Sequence, residues 1–254
     1  MSHCFRLLFS ALTLLALLTS CNFGKSNSQE VKVPTEEEKV EAVKETLKQG
    51  LNKAVATLSS KDGFLSDDSL KITLPKDIQA IIESIKKLPM GNTLVDNAIK
   101  QINQVAGSSV EAAAPIINAA IDSMSVEDVN RILLADSAAA TAYLEKLSRA
   151  PIQAACEPII TQSLDKNVIG NITTRSALNA LVDNYNNLAD SKAGNITNLK
   201  PVEAELDKFV TEKMLDAVFY LIAKEEMNVR KHPGVRIGKS MAKSFGWLDD
   251  KQKK

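Results

Sequence analysis

The sequence predicts a mainly α-helical protein: a single irregular domain of roughly eight to ten helices, with one or two very short strands near residues 64–74. Three observations carry this. Aromatic residues make up only 4% of the chain, while Ala, Leu, Ile, Val, Lys and Glu are plentiful, a mix that favours helix over strand. Apolar residues recur at helical spacing through most of the chain. No convincing βαβ alternation and no tandem repeat emerges.

The first element is a leader. Arg6 supplies a positive n-region, and Leu7 to Leu18 form an uninterrupted stretch of apolar and small residues. Its length fits the about 7–15 residues of a secretory h-region and is too short for a stable transmembrane helix. Leu18-Thr19-Ser20-Cys21 closes it, with a small residue directly before a cysteine. That is the pattern of a bacterial lipoprotein signal peptide. Residues 1–20 are expected to be removed and Cys21 to carry lipid. Residues 22–34 are polar and lack an apolar period, so 21–34 reads as a lipidated cysteine followed by a flexible tether. The expected location is the bacterial cell envelope, lipid-anchored to a membrane and facing the periplasm.

The helical domain is expected over residues 35–247. Thr35 and Glu38 make a capping-box pattern, and Val40, Val43, Leu47, Leu51, Ala54, Val55 and Leu58 follow at helical spacing. Lys61-Asp62-Gly63-Phe64 is a turn signal, and Leu70, Ile72 and Leu74 alternate with Lys71 and Thr73 as a short strand would. Pro75 suits the first turn of a helix with Ile78, Ile81, Ile82, Ile85 and Leu88 on one face. A long helical pattern from Thr93 to Met124 should kink or break at Pro115. Ser125-x-x-Asp128 opens a short helix through Leu134, and Ser137 to Leu147 forms another. Pro151 begins a further one that Pro158 distorts. Ser176 to Leu188 is helical, 189–199 is a loop, 201–230 holds the strongest apolar run, and Val235 to Phe245 adds a last short helix. Residues 248–254 read as a disordered basic tail.

Charge and cysteine usage narrow the function classes. Thirty-one basic residues balance 31 acidic ones, which gives no electrostatic reason to expect nucleic-acid binding. Cys4 leaves with the leader and Cys21 is the acylation site. Cys156 then stands alone, without a disulfide partner, and reads as a buried inert thiol. His232 is the single histidine past the leader, a poor basis for a metal site or a thiol–imidazole pair. Asp62, Asp67 and Asp68 lack the spacing of a calcium loop. The chain has no Gly-x-Ser-x-Gly, phosphate loop, dinucleotide fingerprint or His-Glu-x-x-His. Neither a metal nor a cofactor is expected.

A set of short motifs occurs in order along the domain. They are Asp62-Gly63-Phe64, Lys71-Ile72-x-Leu74-Pro75, Met124-Ser125-x-Glu127-Asp128 and Ala140-Thr141-Ala142-Tyr143. Then come Pro158-Ile159-Ile160, Val210-Thr211-Glu212-Lys213 and Glu225-Glu226-x-x-Val229-Arg230-x-x-Pro233. In this order they resemble the bacterial family known as domain of unknown function 4197, across about Leu47 to Phe245. The resemblance implies an exported helical domain and carries no mechanism. The chain departs from the family at Asn103-Gln104-Val105-Ala106-Gly107, where the family has an Asn-Arg-Ala-Ala-Glu type segment. It departs again at Ala135-Asp136-Ser137, where the family tends to place glycine.

Glu225 is the most informative side chain. It follows Met214, Val218, Leu221 and Ile222 on one apolar stripe, so it should be partly buried and need a partner. Arg230 and Arg236 are the candidates, with Pro233-Gly234 turning Arg236 back onto it. This makes Glu225 an ion-pair latch for the C-terminal segment, ahead of a polar ligand site and of a catalytic carboxylate. Glu226 and Arg230, four apart, read as a surface pair of a few tenths of a kcal/mol. Removing Glu225 should therefore cost more than about 2 kcal/mol, and removing Glu226 under about 1. Tyr143 is expected to cap a core edge through its hydroxyl.

The functional expectation is a non-enzymatic envelope lipoprotein that binds a protein partner or an apolar ligand, held to the membrane by Cys21. The rival is a carboxylate-based envelope hydrolase.

Overall fold

Thr35 starts the first helix as its sequence pattern predicts. In the computed structural model the Glu38 amide donates to Thr35 Oγ1 at 3.2 Å, and the Thr35 amide donates to Glu38 Oε2 at 2.8 Å. Both orphan donors of the first turn are thereby satisfied. The structure describes residues 33–252 apart from 75, 88, 90, 136–137, 170–171 and 192–204. The leader, Cys21 and the tether through Lys32 lie outside the described residues.

Helix α1 (Glu36–Leu58) buries Ala42, Val43, Leu47, Leu51, Ala54 and Leu58 along one stripe. It packs against α7 (Leu206–Lys231), whose buried face is Val210, Met214, Val218, Ile222 and Val229. Gly50 is why the two backbones meet. A Cβ there would lie 3.0 Å from Ile222 Cα, so a larger residue would push α7 away. These two helices form the centre. Helix α3 (Gly91–Asp122), α5 (Ala139–Leu164) and α8 (Lys239–Gln252) pack around them, and α4 (Val126–Leu134) joins α3 to α5. A 3-10 turn (Lys76–Ile78) leads into α2 (Gln79–Lys86), which buries Ile81, Ile82 and Ile85 against the core. Helix α6 (Thr174–Ala189) completes eight α-helices among the described residues. Among the described residues no helix is long and apolar enough to cross a membrane.

The described structure corrects four expectations about elements. Residues 64–74 hold no strand. Leu70, Ile72 and Leu74 are buried and alternate with exposed Lys71 and Thr73, as a strand face would. The partner is a side chain, however. Asn103 Nδ2 donates to the Ile72 carbonyl at 2.7 Å and Asn103 Oδ1 accepts from the Ile72 amide at 2.9 Å, so a carboxamide on α3 replaces a neighbouring strand. The two short strands, β1 (Asn167–Ile169) and β2 (Ile172–Thr173), instead form an antiparallel pair after α5.

Proline breaks fewer helices than expected. Helix α3 runs through Pro115, and α5 is one helix through Pro151 and Pro158 rather than two. All three prolines are exposed, and so are the residues four before them, Glu111, Leu147 and Ala154. Each carbonyl that loses its helical partner therefore faces water. On the opposite side of α5, Leu144, Ser148, Ile152, Cys156, Ile160 and Leu164 stay buried and hold the helix against the core. At the end of the chain, the tail expected from residue 248 is helical through Gln252.

The turn after α1 requires glycine. Asp62 sits at φ 62, and a Cβ on Gly63 would lie 2.3 Å from the Thr57 carbonyl oxygen. This turn places Phe64 in the core at 1% exposure.

Candidate functional site

Successive residues on a helix point about 100° apart, so Glu225 and Glu226 on α7 meet different neighbours. Both are buried, Glu225 at 5% and Glu226 at 1% exposure.

Glu226 reaches the junction of α4 and α5. Its Oε1 accepts from the Ala140 amide at 3.0 Å, and Oε2 accepts from the Thr141 amide at 2.8 Å and Thr141 Oγ1 at 2.7 Å. These are first-turn donors of α5 that the helix itself leaves unbonded, and the carboxylate sits at the positive end of that helix. Arg230 pairs with the same carboxylate, Nε at 3.0 Å and Nη2 at 2.9 Å from Oε1. Its remaining donors point at the end of α4: Nη2 to the Ile132 carbonyl at 3.0 Å, Nη1 to Leu133 at 3.3 Å and to Ala135 at 3.0 Å. One ion pair thus caps the negative end of one helix and the positive end of the next. The sequence reading of Glu226–Arg230 as an exposed pair is corrected: the Arg230 side chain is 13% exposed and that of Glu226 1%. The i, i+4 spacing is right. The burial comes from α4 and α5, which no local pattern on α7 reveals.

Arg236 does not reach Glu225, which corrects the proposed latch. The turn at Pro233–Val235 carries it to the end of α7, where Nε donates to the Val229 carbonyl at 2.9 Å and Nη2 to the Arg230 carbonyl at 3.0 Å. It pairs with Asp249 on α8, Nη1 to Oδ2 at 2.6 Å and Nη2 to Oδ1 at 3.2 Å. The Phe245 ring lies against both guanidinium groups, 5.5 Å from Arg230 and 5.6 Å from Arg236. Arg236 therefore ties the C-terminal helix to α7.

Glu225 faces α1. Oε1 accepts from Gln49 Nε2 at 2.8 Å, and Oε2 accepts from Lys53 Nζ at 2.6 Å and Asn228 Nδ2 at 3.2 Å. Burial pushes its pKa up, but the bonds from Lys53, Gln49 and Asn228 outweigh it and hold the carboxyl below its ordinary value. A lowered native pKa adds stability above the unfolded-state value of about 4.5. That contribution fades as pH falls below about 4.5 toward the native value. Glu225→Gln is accordingly expected to flatten the acid limb of a stability–pH profile measured by urea melts. An unchanged limb would show that Glu225 titrates as a solvated carboxylate.

Glu225 also borders a cleft of about 720 Å³ between α1, the loop at 66–70 and the outer face of α7. Lys53 and Thr57 form one wall and Lys224, Asn228 and Lys231 the other, with Leu70 and Leu221 as apolar surface.

The remaining sequence candidates are placed elsewhere. Tyr143 is half-buried and lines a separate depression of about 400 Å³ with Met124, Leu147 and Pro151. Cys156 is buried, and burial pushes its thiol up to about 11, so it stays protonated and unreactive. His232 is exposed at the end of α7, with Nδ1 3.2 Å from the Asn228 carbonyl oxygen. Asp67 closes a local turn, accepting from the Ser69 amide at 2.9 Å and Ser69 Oγ at 2.6 Å. Among the described residues no group of three or more His, Cys, Asp or Glu could hold a metal ion. Gln104 and Gly107, where the sequence departs from the family pattern, line a depression of about 210 Å³ beside Asp62–Phe64. A Cβ at 107 would lie 3.0 Å from the Leu58 carbonyl oxygen.

Sequence reasoning missed Gln49, Lys53 and Asn103. It also missed the Arg175–Asp207 pair, which joins α6 to α7 and to which Thr161 Oγ1 donates at 2.6 Å. Their partners lie far away in sequence, and only the α1–α7 pairing brings Lys53 to Glu225.

The folded region coincides with a known family. A family model described as Protein of unknown function (DUF4197) matches residues 33–246. The chain belongs to this family. The match begins two residues before the Thr35 cap and ends one residue after Phe245, within α8, so it covers all but the last turns of the domain. Neither a curated protein nor a solved structure matches the chain.

Proposed function

We propose that the protein is a non-enzymatic binding module of the cell envelope, anchored to a membrane by lipid at Cys21. The observation that carries the binding half is the bonding of the two buried carboxylates. Glu226 accepts from two backbone amides, Thr141 and Arg230, while Glu225 accepts from Gln49, Lys53 and Asn228. A hydrolase built on this pair would need one carboxyl held protonated near neutral pH as a general acid. The pKa of Glu225 is shifted the other way. What the fold leaves open to solvent is a concave cleft, the usual form of a ligand site. A screen of envelope-type ester, amide and glycoside substrates tests this half. Turnover lost in Glu225→Gln would replace the binding reading with the hydrolase.

The location rests on Leu18-Thr19-Ser20-Cys21. Each buried methylene of a lipid anchor contributes about 0.8 kcal/mol, and one chain alone holds only marginally, so two or three acyl chains give stable retention. Cys21→Ser is expected to yield soluble or unprocessed protein with the domain still folded. Normal processing with retention in salt-washed membranes would contradict the lipoprotein reading.

A further inference from the structure

We propose that the cleft between α1 and α7 binds a phosphomonoester carrying an apolar stem. This rests on the binding reading above and names its ligand chemistry. Leu221, Lys224, Asn228 and Lys231 follow one another at three- and four-residue steps, so they line one face of α7 along the cleft. Lys53 approaches from α1, which brings three ammonium groups to one concave space of about 720 Å³.

Two carboxylates border the same space, and Glu225 takes up the charge of Lys53, so the cleft keeps an excess of one positive charge, on the Lys224 and Lys231 side. Glu225 is already bonded to Gln49, Lys53 and Asn228, and Asp67 is folded onto its own turn through Ser69. Lys231 has no ion pair among the described residues, and Lys224, 5.9 Å from the Tyr220 ring centroid, helps the Ser69 bonds hold the Asp67 carboxyl below its ordinary value without a direct ion-pair contact. Positive charge gathered in a concavity with low-dielectric walls attracts anions. Lysine serves phosphate well as a rotatable point charge, and the hydroxyl of Thr57 lies on the same rim. Leu70 and Leu221 then offer apolar surface to whatever the phosphate is attached to. A bare anion would leave that surface unused, and a neutral apolar ligand would leave the excess positive charge at Lys224 and Lys231 unmatched. A dianionic head on a hydrocarbon stem satisfies both.

The head can come from a soluble phosphate ester or from an anionic lipid, and the test separates them. The full-length protein in neutral detergent is titrated by calorimetry with inorganic phosphate, hexyl phosphate and hexanol. Hexyl phosphate is expected to bind at least about tenfold more tightly than either of the others. The double variant Lys224→Gln/Lys231→Gln is expected to lose at least about tenfold of that affinity while keeping its urea midpoint, since both side chains are exposed. Cosedimentation with phosphatidylcholine vesicles, with and without phosphatidic acid, identifies the source. Extra binding to phosphatidic acid that hexyl phosphate competes away assigns a lipid head. Hexyl phosphate binding without that extra assigns a soluble ester. Absence of saturable hexyl phosphate binding, equal affinity for inorganic phosphate, or indifference to the double variant would overturn the proposal and leave the binding reading standing. Hydrolysis of hexyl phosphate would overturn the binding reading itself.

Discussion

Glu226→Ala is expected to destabilise the protein by more than about 3 kcal/mol. Three losses coincide. The Ala140 and Thr141 amides at the start of α5 lose their acceptor in a buried place. Thr141, 2% exposed, loses its hydroxyl partner. Arg230 keeps its three carbonyl acceptors from α4 but becomes a buried charge without a counter-ion. Glu225→Ala should cost less, about 1–2 kcal/mol, because the Lys53 side chain is 58% exposed and can return to water when its partner goes. Urea melts of both variants check the ordering. Equal losses would mean that Glu226 is as replaceable as Glu225.

Arg236→Ala is expected to cost about 3 kcal/mol and to loosen α8 from the domain. Its guanidinium is almost enclosed, at 2% side-chain exposure, and holds the last carbonyls of α7, Asp249 and the Phe245 ring together. Arg236→Lys should rescue little of this, since a single ammonium cannot reproduce a planar fork that meets two carbonyls and a carboxylate. Asp249→Ala should cost less, because the Asp249 side chain is 30% exposed. Urea melts give the loss, and limited proteolysis at 232–239 reads the release of α8. Wild-type resistance in Arg236→Ala would show that the contacts of α8 with α1, among them the Lys243–Glu38 pair and buried Met241 and Phe245, hold it without Arg236.

The helices were legible in the sequence because their buried faces follow one period. The α1 stripe from Val43 to Leu58, the Thr35 cap and the isoleucines of α2 all read directly. The buried status of Glu225 was legible for the same reason. Its neighbour was not: on α7 alone Glu226 looks like half of a surface pair, and it is buried because the α4–α5 junction comes down on it. Periodicity says which residues face inward from a helix, but not which other helix end arrives there. Proline was over-read for a related reason. Pro151 and Pro158 break a helix in isolation, yet their lost bonds face water while tertiary packing holds the other side of α5. The strand expected near Leu70–Leu74 failed because Asn103, distant in sequence, supplies as a side chain what a strand would supply as backbone.

The Glu226–Arg230 pair on α7 holds the end of α4 and the start of α5 together. A double-mutant cycle on Glu226→Gln and Arg230→Met, measured by urea denaturation, tests it most directly. A coupling of about 2 kcal/mol or more is expected, with the double variant recovering much of what Glu226→Gln alone loses, because no stranded guanidinium remains. A coupling near zero, with both single variants close to the wild-type midpoint, would contradict it.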